Sequence, residues 1–245
     1  MKVCAVIPVY NHGGPVVAVV RDVRGHGLPC LLVDDGSEPG CAAVLDGLAA
    51  SDPAGVTLLR LPHNRGKGGA MMAGLRAALA AGYSHALQID ADGQHDTRDI
   101  PVFLDRAAEA PDQLICGCPR YDDSLPRGRL YARYATHVWV WINTLSFAIR
   151  DSMCGFRVYP LAATVAVIDS VPMSERMAFD IEIVVRLRWR GVGVINQPTR
   201  VRYPADGVSH FMPWRDNVQI SRTHAKLFAG MLLRLPRLLW QKVAA

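Results

Sequence analysis

Short apolar runs alternate with stretches of helical length through the first half of the chain. Residues 3–7, 31–33, 57–61, 86–89 and 114–116 are the length of buried strands. Between them lie segments rich in Ala, Val and Leu, the stretch 68–81 most clearly. Strand–helix alternation of this kind predicts βαβ units around a mostly parallel central sheet flanked by helices, an α/β class. The second half is patterned differently. Residues 134–149 contain no Asp, Glu, Lys or Arg and carry Trp139, Trp141 and Phe147. Their sixteen positions fall short of the roughly 20 that a membrane-spanning helix needs. The segment reads as a core helix or as a helix lying against lipid.

Several of the strand-like runs end in polar or glycine-containing turns: Pro8-Val9-Tyr10-Asn11, Asp34-Asp35-Gly36-Ser37 and Asp90-Ala91-Asp92-Gly93-Gln94-His95. Ligands of open α/β sheets sit outside the carboxyl ends of the strands, so turns gathered on that edge make a composite pocket. Along a continued strand Asp90 and Asp92 point to the same side. Two such carboxylates repel unless a cation lies between them. Gln94 adds an amide oxygen in step, and the set suits a hard divalent cation. An acidic loop capping the following helix is the alternative.

Asn64-Arg65-Gly66-Lys67-Gly68-Gly69-Ala70 opens the third helical stretch. Its glycines let backbone N–H groups approach an anion at a helix start. It lacks the Walker spacing. A dinucleotide fingerprint belongs after the first strand, where Asn11-His12-Gly13-Gly14 stands instead. Lys67 belongs to this anion site or is a plain helix-start cation. Farther on, Asp180 follows Phe179 and precedes an apolar-basic run, which makes it a candidate general base. Asp180 and Glu182 diverge on a helix, so one can face a pocket while the other pairs elsewhere.

Composition sharpens two points. Half of the 245 residues are apolar and 20% are charged, ordinary for a globular protein with a substantial core. The six cysteines show no C-x-x-C pair, and the run 3–7, stopped by Pro8, is too short for a signal sequence. Reduced thiols in the cytoplasm are the expectation. The net charge of +5 is unevenly spread. From Arg186 onward eleven Lys/Arg face two Asp, giving +9 and leaving −4 for the rest. An anionic surface is the implied partner, nucleic acid or membrane. Residues 218–242 interleave Leu227, Phe228, Leu232, Leu239 and Trp240 with Arg222, Lys226, Arg234, Arg237 and Lys242. That basic amphipathic tail favours an anionic membrane face over nucleic acid; a terminal helix packing back on the sheet is the alternative.

In order along the chain, Ile7-Pro8-Val9-Tyr10-Asn11, Val33-Asp34-Asp35-Gly36-Ser37, Asn64-x-Gly66-Lys67-Gly68, Asp90-Ala91-Asp92-Gly93-Gln94-His95, Gly155-Phe156-Arg157 and Gly207-x-Ser209 resemble the motifs of one family. It is family 2 of the glycosyltransferases, in the branch of the dolichyl-phosphate mannose synthases and related polyprenyl-phosphate glycosyltransferases. The resemblance implies a GT-A nucleotide-sugar-binding fold over residues 1–213, followed by a C-terminal amphipathic helix over 214–245. It implies an inverting sugar transfer that needs Mg²⁺ or Mn²⁺. By position, Pro8, Tyr10, Val33 and Asp35 would contact base and ribose, and Asp90 and Ala91 would lie beside the sugar nucleotide. Asn11, Lys67, Arg120 and Arg202 complete the donor-binding set. Asp92 and Gln94 would hold the metal, and Arg157 joins Asp180 as catalytic.

The chain departs from the mannose synthases at three places. His12 replaces a glutamate near the base, so guanine recognition is not implied. Pro204-Ala205-Asp206-Gly207-Val208-Ser209-His210 replaces an Arg-x-x-Gly-x-Ser-Lys pattern, and no hydrophobic pair of spanning helices follows. The expectation is a metal-dependent glycosyltransferase, peripheral on the inner face of the membrane, using a UDP- or GDP-sugar and a lipid-linked or hydrophobic acceptor. A sugar-nucleotide nucleotidyltransferase and a non-catalytic nucleotide-binding module are the competing classes.

Overall fold

A computed structural model of the chain describes residues 1–120, 127–201 and 212–243. Strands β1 (Val3–Val9), β2 (Cys30–Asp34), β3 (Val56–Arg60), β4 (His85–Gln88), β5 (Leu114–Arg120), β6 (Arg157–Pro160) and β7 (Val194–Arg200) form one sheet in the order β3-β2-β1-β4-β6-β5-β7. Only β6 runs against its neighbours, pairing antiparallel with both β4 and β5. The chain winds outward from β1 through β2 to β3, then crosses back to place β4 on the other side of β1. That reversal is the topological switch point at which open α/β sheets bind ligands.

Helices cover both faces. α1 (Gly13–Gly25), α2 (Pro39–Ser51) and α4 (Ile100–Glu109) lie on one, where Val16, Leu45 and Phe103 meet Ile7, Leu32 and Leu87. α3 (Lys67–Ala80), α6 (Leu161–Ser170) and α7 (Phe179–Trp189) cover the other, where Leu75, Val165 and Leu187 join Val6 and Val33. Strand residues alternate between these two cores because side chains leave a strand with period two.

The strands expected in the first half are all present, some longer than their apolar cores. β1 runs on to Val9, and β5 runs on to Arg120. β4 ends at Gln88, so Asp90 and Asp92 lie in the turn beyond it and not on a continued strand. α5 (Arg127–Thr144) stops where Leu145 takes a left-handed φ of 49°. It is a surface helix: Val140 is buried, whereas Trp139 and Ile142 stay exposed.

α8 (Pro213–Val243) packs back against α5 and α7, burying Ile220, Leu227, Met231 and Leu238 in the core. Leu232, Leu233, Leu239 and Trp240 on the same helix remain exposed. No described helix is long and apolar enough to cross a membrane.

α3 sits close on the sheet through Gly74. A Cβ there would come within 2.5 Å of Val6 Cγ1 and 2.8 Å of Val33 Cγ2. Gly74→Ala therefore sets a gain of about 1 kcal/mol in helix propensity against overpacking of about 1–3 kcal/mol. Urea unfolding should show a net loss of about 1 kcal/mol or more for this variant. Gly47→Ala, in α2 with nothing within 4 Å of the new methyl, should gain about 0.5–1 kcal/mol. A raised midpoint for Gly74→Ala would mean that the helix–sheet contact has slack.

Candidate active site

The carboxyl ends of β1, β2, β4 and β5 share one edge of the sheet, and the amino end of the reversed β6 joins them, with Gln88 opposite Arg157. The turns at this edge are tied to one another. Asn11, at a left-handed φ of 56°, receives the Glu38 N–H on its Oδ1 at 2.8 Å and donates its own N–H to Ser37 Oγ at 3.1 Å. Asparagine tolerates that backbone better than most residues. Asp34 accepts from Ser37 N–H and from Arg60 Nε. Burial acts to raise its pKa, yet Arg60 and Ser37 outweigh it and hold the carboxyl below the usual range.

Asp35 is buried and accepts the N–H groups of Arg65 at 2.7 Å and Gly66 at 2.8 Å. Burial pushes its pKa up, and the two bonds only partly offset this. In the first turn of α3, Gly69 N–H goes to the Glu175 carbonyl at 2.8 Å. Two of the loop's N–H groups are thus engaged by the protein's own Asp35, and Gly66 and Gly68 also serve close packing. A Cβ at Gly68 would strike Phe179 Cβ and the Ser174 carbonyl.

Lys67 stands at the centre. Its ammonium lies 2.8 Å from Asp90 Oδ2 and 2.8 Å from Asp180 Oδ2, linking the start of α3 to the turn after β4 and the start of α7. Burial opposes both charges here, but the attraction wins. The two carboxylates hold Lys67 above its ordinary range, and Lys67, then His95, hold Asp90 well below its own.

Asp180 is 4% exposed. Its other oxygen receives the Gln88 amide at 3.3 Å and lies 3.7 Å from Arg157. Glu182 turns away to Arg186, Lys226 and the Ser174 N–H, the divergence expected of the pair. Arg157 is 0% exposed and donates to the carbonyls of Asp180 and Ser152, both at 2.8 Å. Enclosed in this way, Arg157 braces the backbone of Asp180, while its Nε is left without a partner among the described residues.

The neighbours of Arg157 have parallel roles. A Cβ at Gly155 would collide with the Asp90 carboxylate. Phe156 stacks on Phe103 with centroids 4.2 Å apart and lies beside the His95 ring at 5.4 Å. His95 Nε2 is 3.7 Å from Asp90 Oδ2. Sequence reasoning left His95, Gln88 and Tyr159 out of the site. Tyr159 donates to Gln88 Oε1 at 2.8 Å, which orients the amide toward Asp180. The available signal was Gln88 itself, a polar residue inside the apolar run 86–89.

Asp92 is partly buried, with Oδ1 accepting Gln94 N–H at 3.0 Å. Burial, then the charge of Asp90, raises its pKa. Asp90 Oδ1 is buried without a hydrogen-bond partner. A strained acidic pair with an unsatisfied oxygen fits a hard divalent cation. Among the described residues no three His, Cys, Asp or Glu side chains gather to hold a metal unaided. Amide, water or ligand oxygens must therefore complete a shell at Asp92, as such cations accept. Of the other expected residues, Pro8 and Tyr10 are half-buried on this edge, Val33 and Ala91 are buried, and Arg120 is exposed at the end of β5. Arg202, with Gly207 and Ser209, falls outside the described residues.

Residues 4–168 match the profile of glycosyl transferase family 2. The polyprenol monophosphomannose synthase of Mycolicibacterium smegmatis is 30% identical over 224 residues, 85% of this chain and 80% of that protein. The undecaprenyl-phosphate mannosyltransferase of Micrococcus luteus is 29% identical over 81% of this chain and 82% of its own length. Among solved structures, glucosyl-3-phosphoglycerate synthase of Mycobacterium tuberculosis, in complex with Mn²⁺, UDP-glucose and phosphoglyceric acid, shares the fold. Its TM-score is 0.66 at 14% identity, covering 94% of this chain and 79% of that one.

Replacing Lys67 by Met leaves two buried carboxylates without their cation and should cost roughly 3–5 kcal/mol at pH 7. The depressed pKa of Asp90 fixes the sign of the pH dependence. Its contribution is present above the ordinary aspartate pKa of about 3.9 and is lost as pH falls through the lower folded value. Urea unfolding should show the gap between wild type and variant wide at pH 7 and narrower at pH 3. A gap that is constant with pH would show that packing of the alkyl stem, and not charge, dominates.

Proposed function

The chain belongs to glycosyl transferase family 2 and is a glycosyltransferase of GT-A fold, and from that premise we propose what it transfers and where. The donor is a nucleoside-diphosphate sugar, UDP- or GDP-linked, held on the sheet edge by Pro8, Tyr10, Asn11, Val33, Asp35, Ala91 and Arg120, with Arg202 from outside the described residues. The acceptor is a lipid carrying a phosphate, and the reaction takes place at the cytoplasmic face of a membrane. The single observation that carries this reading is the partnerless buried oxygen of Asp90 beside the strained Asp92, at the ligand-binding edge of the sheet.

Asp92 and Gln94 would hold Mg²⁺ or Mn²⁺, which when bound supplies positive charge to the departing nucleoside diphosphate. The protein's own residues do the rest. Lys67 keeps Asp90 ionised and fixed in place. Asn11 and Asp35 lock the turns that line the donor side. A hydroxyl acceptor would need a base, whereas a phosphate acceptor is already anionic and attacks without one. Asp180, enclosed and engaged by Lys67 and Gln88, suits the second case. We assign it as the positioning residue that shares Lys67 with Asp90. The names of the relatives point to the same acceptor class, polyprenol and undecaprenyl phosphate.

Membrane placement is supported by the exposed apolar side of α8, where Leu233 is 83% and Trp240 72% exposed. Removing the tail is a poor test, because Leu227, Met231 and Leu238 belong to the core.

Calorimetric titration of UDP and GDP with and without Mn²⁺ should show metal-dependent binding of one of them, lost in Asp92→Ala. Transfer in that variant should fall at least 100-fold with circular dichroism unchanged. Full activity in Asp92→Ala would reject the site. Separately, Leu233→Ser with Trp240→Ser should lower partitioning onto vesicles without changing the unfolding midpoint. Unchanged partitioning would reject the membrane role of α8.

A further inference from the structure

We infer that a four-arginine cavity between α6, α7 and α8 is a binding site for the phosphate of an anionic phospholipid, which docks the enzyme at a fixed orientation. The inference rests on the membrane placement of α8 proposed above.

The cavity has a volume of about 210 Å³ and is lined by Arg186, Arg190, Arg234 and Arg237 with Trp189 and Val171. It is separate from the active site. Arg186 and Arg190 lie six and ten residues beyond Asp180, roughly 9 and 15 Å away along the α7 axis.

Two of its guanidinium groups are held in place. Arg186, 8% exposed, is fixed by Glu182 at 2.6 Å. Arg234 lies over the Trp189 ring, 4.8 Å from the centroid, and donates to the Gly230 carbonyl. Arg190 and Arg237 have no acidic side-chain partner among the described residues. One acid against four arginines leaves a concave site of about +3, and a planar guanidinium matches phosphate oxygens in a bidentate fork.

The position of Arg237 argues for a lipid as the source of the phosphate. It stands four residues after Leu233 and three before Trp240 on α8, so all three share one side of the helix. Both of those neighbours are among the most exposed large apolar side chains described. A basic cavity bordered by exposed Leu and Trp suits a headgroup phosphate with acyl chains alongside. A soluble phosphate would have no use for that border.

The test is co-sedimentation at about 0.15 M salt with vesicles of phosphatidylcholine alone or mixed with phosphatidylglycerol. The cavity variant is Arg190→Gln with Arg237→Gln. The control is Arg215→Gln with Arg222→Gln, which removes the same charge from exposed positions of α8 outside the cavity. Wild type should prefer the anionic vesicles. The cavity variant should lose about 25-fold in partitioning, fivefold for each arginine, and the control clearly less, with unfolding midpoints unchanged in both. Equal losses in the two variants would overturn the cavity while leaving membrane attraction through diffuse charge intact. Wild type that ignores both kinds of vesicle would overturn the membrane reading and the cavity with it. A calorimetric titration with inorganic phosphate closes the remaining route. If the cavity variant loses phosphate binding but partitions like the control, the site takes a soluble anion and the lipid assignment fails.

Discussion

One ammonium group holds the active edge together. Lys67 sits between Asp90 and Asp180 at 2.8 Å from each, and each carboxylate belongs to a different part of the fold. Two acids this enclosed could not both stay ionised without it. The rest of the edge consists of devices that let these three groups meet. Gly155 leaves room for the Asp90 carboxylate, and Gly68 lets the start of α3 approach Phe179. Arg157 fixes the backbone of Asp180, while Tyr159 turns Gln88 toward its side chain. The reversal of β6 matters for the same reason, since only an antiparallel strand brings its amino end, and with it Gly155 to Arg157, to this side of the sheet.

The fold was largely legible because its strands are short apolar runs bounded by turn residues, and that pattern survives without tertiary context. The acids after β4 were equally legible, since an apolar run that breaks into Asp-x-Asp has few explanations. Other features were not. No sequence pattern reveals that the oxygens of Asp35 also tie down the N–H groups of Arg65 and Gly66, thirty residues away. The enclosure of Arg157 was not legible either, because a lone cation beside a motif gives no sign of being buried. The glycine-rich loop has the composition of a phosphate cradle, yet Gly68 is required by contact with residues 174–179, a segment whose path the sequence does not disclose.

α8 is the core-packed helix that was one reading of the tail, and it also carries an exposed apolar side, on which the lipid-facing reading rests as a proposal. Its inner stripe of Ile220, Leu227, Met231 and Leu238 closes the core over α5 and α7. Its outer side carries Leu232, Leu233 and Trp240. A 31-residue helix is long enough to do both, because stripes on opposite sides do not compete for the same positions. α7, which carries Asp180 at its start, is thus the element that lies between the active site and α8.

Pro236, inside α8, sets a limit on that meeting. A proline has no N–H for the carbonyl four residues back, here that of Leu232, on the outward side of the helix. A carbonyl without its helical partner is costly in hydrocarbon and cheap in water. If α8 lies on a membrane as proposed, its whole outer side would therefore not sink to acyl-chain depth. On the membrane placement proposed above, the proline would act as a depth stop, leaving the Leu232 carbonyl at the hydrated headgroup layer with Leu233 and Trp240 on either side of it.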